Sequence, residues 1–195
     1  MTENELIKRL FLNICEGGDM QAYDELYRLF CSRLIHFSAA ITGSFHLAEE
    51  IVSDVFMMVW QKRRQLADVE NPGVYLYVCT RNRSLNTLEQ HRRNQHAHLD
   101  TLDTDALAMA PDQEEGMISA EVAQRIEAAI RSLPARCQLI FRLVKQDGMK
   151  YKEVAELLEI SSKTVDAQLT IAVKKVAEAI RLNMPHDLAK SFLFR

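Results

Sequence analysis

Apolar and polar residues recur along the chain with the spacing of an α-helix. Apolar positions three or four residues apart mark successive amphipathic segments, which we predict as helices. No alternating β-branched run predicts a strand, and only six glycines and four prolines interrupt the sequence. The predicted fold class is therefore all-α. The predicted helices cover residues 3–16, 19–41, 45–66, 73–93, 118–132, 135–146, 151–158 and 162–182.

One segment between the predicted helices is polar, acidic and without periodicity, which is typical of a flexible linker. Residues 94–124 contain seven Asp and Glu residues and no Lys or Arg, whereas residues 75–93 carry four Arg against the single Glu89. A basic helical segment is thus followed by an acidic connector. The predicted organisation is a helical domain at 1–94, a linker at 95–117, a smaller helical domain at 118–184 and a tail at 185–195.

Residues 151–176 predict a helix-turn-helix. A short amphipathic helix with Val154, Ala155 and Leu158 on one face meets a long helix across a tight corner. Ser161 and Ser162 are the N-cap candidates of the long helix. Glu159 stands in the corner, where many such motifs have Gly. The polar start of the long helix would face outward and enter a DNA major groove, although an ordinary helical hairpin with a solvated edge has the same pattern.

Two long helices in the first half carry polar stripes. On 45–66, the residues Glu50, Asp54, Met57 and Gln61 share one side. A solvated face is the ordinary explanation of such a stripe. The helix that follows the turn 71–73 places tyrosines close to arginines and asparagines. That combination suits single-stranded nucleic acid, by stacking and phosphate contacts, while a helical Tyr more often belongs to the core.

The net charge of −3 argues against a protein that binds duplex DNA strongly by itself, because that affinity comes largely from neutralising phosphates. We therefore predict weak DNA binding by the free chain and a partner that brings it to DNA. No apolar run approaches the ~18 residues of a membrane span, and no secretion signal is visible, so a cytoplasmic protein without membrane insertion is expected. The four cysteines have no paired spacing and are predicted to be free thiols.

The sequence contains no catalytic or metal-binding motif that supports a different function as well as the helix-turn-helix supports DNA binding. The sequence has no phosphate loop, no H-E-x-x-H and no nucleophile elbow, so we predict that the chain is not an enzyme and binds no cofactor. His96 and His98 with Asp100 have the donor types of a metal site. Two histidines in a polar linker are more often solvated, and no metal site is predicted.

Two stretches of the chain, taken together, resemble the extracytoplasmic-function sigma factors of the sigma-70 family. Residues 19–93, which contain "HLAEEIVSDVFMMVWQKRRQL" and "NPGVYLYVCTRNRSLNTLEQHRR", are similar to the second conserved region of that family. Residues 119–182, which contain the predicted helix-turn-helix, are similar to its fourth. The resemblance implies a bacterial transcription initiation factor that binds RNA polymerase core and directs it to promoters.

The resemblance also implies roles for individual residues. Asn82 matches a recurrent Asn of the family, whereas Asn86 stands where Asp is more common. The loop at 68–73 corresponds to the loop that receives a flipped-out base. The implied polymerase-binding residues are Glu50, Asp54, Met57 and Gln61. The implied minus-ten DNA-binding residues are Asn71, Tyr75, Tyr77, Arg81, Asn82, Arg83 and Asn86. The implied minus-thirty-five DNA-binding residues are Ser162, Lys163, Thr164, Ala167, Gln168 and Lys174.

Within the last group, Gln168 is the best candidate for a contact with a base edge, because a carboxamide matches the donor and acceptor of adenine. Lys163 and Lys174 are expected on phosphates. The partners implied are RNA polymerase core and promoter DNA, and the sequence leaves open whether an anti-sigma factor exists. Two other classes of protein share part of this sequence pattern. One is a LuxR-type helix-turn-helix regulator, whose N-terminal half usually contains strands. The other is a helical adaptor that binds only proteins.

Overall fold

The computed structural model describes the backbone of residues 2–95 and 120–181 and the side chains of residues 2–91 and 126–178. Within these ranges every regular element is helical, which confirms the predicted all-α fold. The chain divides into two compact units, residues 1–112 and 113–195. The predicted tail and nearly all of the predicted linker lie outside the described residues, as do His96, His98 and Asp100, and the domain limits stay predictions.

In the described part of unit 1, four helices pack against one another around the second: α1 Glu3–Gly17, α2 Met20–Thr42, α3 Phe45–Lys62 and α4 Pro72–Gln95. Side chains at the helix ends explain where they begin. Thr2 and Glu5 form a reciprocal capping box at the start of α1, and Asp19 accepts from the Gln21 and Ala22 N–H groups at the start of α2. After α3 the chain makes a 3₁₀ turn at Arg63–Gln65.

The core of unit 1 is apolar and aromatic except where α2 meets α4. There Ser38, Thr80 and Ser84 are fully buried. The Ser84 hydroxyl donates to the Thr80 carbonyl at 2.8 Å, so its oxygen accepts from the Ser38 hydroxyl, also at 2.8 Å. These small side chains satisfy their own polar groups, which is the condition for burying them without a large cost.

Unit 2 is smaller and contains the two helices of the predicted helix-turn-helix. The predicted helix at 135–146 is α-helical only as far as Phe141, after which the chain makes a π-helical turn at Arg142–Gln146. Gly148 then adopts a left-handed conformation with φ 66°, which reverses the chain toward the next helix. The helices of unit 2 are α5 Ala120–Arg131, α6 Ala135–Phe141, α7 Tyr151–Leu158 and α8 Ser162–Arg181.

The corner between α7 and α8 has the geometry that the sequence predicts, achieved without glycine. Glu159 ends α7 in the left-handed region with φ 53° and ψ 49°. The Ile160 N–H donates to the Ala155 carbonyl at 2.9 Å, the closing bond of a Schellman-type end. Of the two N-cap candidates, Ser161 is the cap: its hydroxyl oxygen accepts from the Thr164 N–H at 3.0 Å.

The apolar face of α7 differs from the prediction at one residue. Val154 and Ala155 are buried as predicted, but the third buried residue is Leu157, and Leu158 is only half-buried. The helix has eight residues, so the packing of its last turn depends on where the corner turns rather than on helical spacing alone. On α8, Val165, Leu169, Ala172 and Val176 all face the core of the unit.

Candidate functional site

The polar stripe on α3 lies on the solvent side of that helix. Glu50, Met57 and Gln61 are exposed and Asp54 is half-buried, while Val52, Phe56 and Val59 on the opposite side are buried. Met57 keeps 53 % of its surface accessible and is one of several large apolar side chains exposed in the described residues. It adds an apolar contact group to a stripe that otherwise offers two carboxylates and a carboxamide. We call these four residues, Glu50, Asp54, Met57 and Gln61, the docking stripe.

The two acids of the docking stripe have different partners. The Glu50 carboxylate lies 3.5 Å from Nδ1 of His46, one turn earlier on the same helix. The Asp54 carboxylate accepts a charge-assisted hydrogen bond from Nη2 of Arg83, which belongs to α4. A residue predicted to contact polymerase is thus ion-paired with a residue predicted to contact DNA. Sequence spacing cannot reveal this pair, because its members are 29 positions apart.

The outer face of α4 carries Asn82, Arg83 and Asn86, all exposed. Two residues that sequence reasoning missed, Val78 and Leu85, are exposed on the same side as Asn82. Their spacing of four and three residues from Asn82 places all three on one helical stripe. We call Val78, Asn82, Arg83, Leu85 and Asn86 the α4 outer face.

The two tyrosines at the start of α4 differ from the prediction of base-stacking residues. Tyr77 is 1 % exposed, and its ring packs edge-to-face on Phe37 with the centroids 5.0 Å apart. The prediction that Tyr77 contacts DNA is therefore wrong for this fold: its ring fills the core between α2 and α4. Tyr75 is half-buried against Phe11. Burial, with a hydrogen bond to Cys79, raises the pKa of Tyr75 to about 12, so the phenol stays neutral at physiological pH.

The other two predicted minus-ten residues, Asn71 and Arg81, lie at or near the α4 outer face. Asn71 is half-buried, and its side-chain oxygen accepts from the Val74 N–H at 3.4 Å at the start of α4. Asn71 therefore takes part in the N-terminal end of the helix, whatever else it contacts. Arg81 is half-buried on the opposite flank of α4 from Arg83.

The outward side of α8 carries most of the residues predicted to meet duplex DNA. Ser162, Lys163, Ala167 and Lys174 are exposed, and Thr164 is half-buried with its hydroxyl 2.8 Å from that of Ser161. Thr170 was missed by the sequence analysis and is also exposed. It lies seven residues after Lys163 and four before Lys174, which are the offsets that continue a helical stripe.

Gln168 does not belong to that outward side. It is half-buried at the edge of the α8 core face, and its Oε1 accepts from the Cys137 thiol of α6 at 2.7 Å. The side chain thus links α6 to α8. Its amide oxygen can accept a second hydrogen bond, so the adenine contact of Gln168 stays a prediction.

Other chemistry is sparse in the described part of the chain. No group of three or more His, Cys, Asp or Glu side chains with metal-binding geometry occurs there. Cys15 and Cys137 are buried free thiols, and Cys31 and Cys79 are half-buried free thiols. Burial raises the pKa of Cys15, with a smaller contribution from Glu16. Among the described helices, none combines the length and the apolar character needed to span a membrane.

Comparison with known proteins agrees with the fold. Residues 24–94 match the family description "Sigma-70 region 2", and residues 123–176 match "Sigma-70, region 4". The probable RNA polymerase sigma factor RfaY of Xanthomonas campestris is 28 % identical over 161 residues, which are 80 % of this chain and 40 % of RfaY. The ECF RNA polymerase sigma factor SigW of Bacillus subtilis is 19 % identical over 159 residues, 78 % of this chain and 85 % of SigW.

A solved structure has the same fold. The sigma factor RpoE of Bartonella quintana, crystallised in complex with the anti-sigma factor NepR, superimposes with a TM-score of 0.57 at 19 % identity. The match covers 85 % of this chain and all of RpoE. The two helical units have the order and the fold of a two-region sigma factor. The chain belongs to the sigma-70 family, within its extracytoplasmic-function group.

Proposed function

We propose that this protein is a bacterial transcription initiation factor that binds RNA polymerase core and directs it to specific promoters. The observation that carries the proposal is the presence of sigma-70 regions 2 and 4, in that order, in one chain. The exposed docking stripe supports core binding through α3. The α4 outer face is suited to the minus-ten element as it opens, and the outward side of α8 to the minus-thirty-five duplex.

The charge of the chain fits a factor that acts with a partner. Because the net charge is −3, long-range attraction to DNA is weak, and the polymerase would supply most of the affinity for nucleic acid. In this role the protein provides binding surfaces rather than catalytic groups, and it acts in the cytoplasm, where polymerase and promoters are. An anti-sigma factor is a further partner class that the proposal admits. The LuxR-type alternative is not favoured, because residues 2–95 form helices without a strand.

Run-off transcription tests the proposal. Purified bacterial core polymerase with this protein should produce transcripts of defined length from genomic fragments that core alone does not transcribe. The protein alone should bind the same promoters poorly at physiological salt, since a net charge of −3 gives only weak long-range attraction to DNA phosphates. Nanomolar, sequence-specific binding by the isolated full-length chain, or no promoter-specific transcript with core from any fragment, would contradict the proposal.

Within α8, we expect neighbouring lysines to differ in their contribution to promoter binding. Lys174 is exposed on the outward side, whereas the Lys175 ammonium donates to the Ser132 carbonyl at 2.8 Å at the end of α5. Lys174→Ala should weaken promoter binding by the holoenzyme equally for all minus-thirty-five sequences and lower the salt slope by about 0.9. Lys175→Ala, the matched control, should leave the slope unchanged.

The same binding assay with a randomised minus-thirty-five library tests whether Gln168 contacts a base or only joins α6 to α8. Gln168→Ala should leave the selected sequence unchanged, because the side chain joins α6 to α8 rather than reaching outward. Its effect should be a loss of stability of about 1 kcal/mol, typical of a lost hydrogen bond. A changed preference at one base pair would restore Gln168 as a base contact.

A further inference from the structure

The ion pair between Asp54 and Arg83 joins two surfaces to which we have assigned different partners. The carboxylate belongs to the docking stripe on α3, and the guanidinium belongs to the α4 outer face. Both side chains remain accessible, at 39 % for Asp54 and 56 % for Arg83. The pair is therefore formed at the surface, where an incoming group can reach either member.

This arrangement is specific to Asp54 within the stripe. Glu50 lies one turn away on the same side of α3, and its carboxylate is near His46 of its own helix rather than near α4. Arg83 is the single cation among the five residues of the α4 outer face, and it donates to the Asp54 carboxylate in this structure. The two acids of the stripe thus provide a matched comparison, with the same charge but different partners.

We propose that the Asp54–Arg83 pair couples the two surfaces, so that a cationic group of polymerase that engages Asp54 releases Arg83 to bind the phosphates of an opened DNA strand. The proposal rests on the function proposed above and adds a mechanism to it. In the free chain Asp54 restrains Arg83, and in the polymerase-bound chain Arg83 is available. Arg83 then contributes to DNA capture only after docking.

The physical basis is competition for one guanidinium and one carboxylate. Nη2 of Arg83 donates to the Asp54 carboxylate, and the negative charge of that carboxylate repels a phosphate that approaches the same guanidinium. A phosphate therefore binds Arg83 more strongly once a cationic group of the partner has engaged Asp54. Because α3 and α4 pack directly on each other, the exchange needs only rotation of two exposed side chains and no helix movement. By linkage, the pair must weaken polymerase binding through Asp54 by the same factor by which it weakens DNA binding through Arg83. For an exposed pair, the expected coupling corresponds to about a 2- to 5-fold change in affinity.

The first experiment uses the full-length chain without polymerase. Binding of a fluorescent single-stranded oligonucleotide, measured by anisotropy at low salt, should be about 2- to 5-fold tighter for Asp54→Asn than for Glu50→Gln. Each variant removes one negative charge from the same stripe, so the difference isolates the pair from the general change in net charge. Adding Arg83→Gln to Asp54→Asn should abolish the gain. If Asp54→Asn binds no more tightly than Glu50→Gln, whether both bind or neither does, Asp54 does not restrain Arg83 and the proposal fails.

The second experiment tests the reciprocal effect with core polymerase and no DNA. Arg83→Gln frees Asp54 and should bind core about 2- to 5-fold more tightly than Arg28→Gln, which removes a cation that is 77 % exposed on α2. Thermal unfolding of each variant checks that the fold is intact. Core binding by the wild type with no difference between the two variants would overturn the coupling and leave the proposed function standing. If the wild type supports no promoter-specific transcription in the run-off assay, the proposed function itself is overturned.

Discussion

A variant carrying Glu50→Lys and Asp54→Lys should lose association with core polymerase by about 100-fold or more. Each reversal replaces an attraction by a repulsion at the proposed interface, and like-charge contacts cost several kcal/mol when they are desolvated. A factor of 100 needs only about 2.7 kcal/mol in total. Association would be measured between labelled core and the full-length chain in the absence of DNA, so that the altered partner of Arg83 does not affect the result.

The matched control for this variant is Glu49→Lys. Glu49 is exposed on the same helix but lies outside the docking stripe, about a quarter turn away from Glu50. Its reversal should change core affinity by no more than about threefold, because charges outside an interface act mainly through screened, long-range terms. Thermal unfolding of Glu49→Lys should remain close to the wild type, since exposed substitutions cost within about 0.5 kcal/mol. The double variant also loses the accessible Asp54–Arg83 pair, which adds about 1 kcal/mol at most. Wild-type core binding by the double variant would remove the docking stripe from the proposed interface.

Tyr77→Ala should destabilise unit 1 by about 3–5 kcal/mol, the cost of removing a large aromatic ring from a packed core. The ring of Tyr77 lies among Phe30 and Phe37 and is almost completely inaccessible to solvent. We therefore expect the Tyr77→Ala protein to unfold at a lower temperature than the wild type and to support no transcription on any template. A melting curve recorded by circular dichroism, together with run-off on duplex and on pre-opened templates, measures both effects.

Asn82→Ala provides the comparison, because Asn82 is exposed on the same helix. Its stability should change by no more than about 0.5 kcal/mol. Its transcription defect should be relieved in part on a pre-opened template, which supplies in advance the few kcal/mol needed to unstack the bases. A stable Tyr77→Ala protein that is defective only on duplex DNA would return Tyr77 to the DNA-binding surface.

The helix α4 shows why the composition of a surface is hard to infer from the sequence. Its buried side contains Thr80 and Ser84, whereas its outer face contains Val78 and Leu85. At these four positions the usual relation between polarity and exposure is reversed, so helical periodicity alone assigns the two sides of α4 poorly. The reversal is possible because the Thr80 and Ser84 hydroxyls bond to carbonyls one turn earlier in α4, and because small side chains allow α2 to approach closely.

Local features of the fold followed from the sequence because their causes are local. The helices, a tight corner after α7 and a capping serine at 161 or 162 depend on spacing and on side chains within a few residues. The structure selects Ser161 and gives Glu159 its left-handed conformation. The family resemblance rested on two stretches in a fixed order, and the matched regions have that order. On α8, helical spacing predicts one apolar side made of Val165, Leu169, Ala172, Val173 and Val176. All of these except the half-buried Val173 are buried, since one side of a helix must cover the core.

Contacts between distant segments were decided only by the tertiary structure. The sequence determined which residues are polar and which helix carries them, but not which neighbour each would meet. Packing of α3 on α4 brings Arg83 to Asp54, and packing of α6 on α8 brings the Cys137 thiol to Gln168. It also encloses Tyr77, which a helical pattern alone leaves free to face either way. The physical reason is that helical periodicity fixes directions around one axis, whereas a partner depends on how two axes are placed relative to each other.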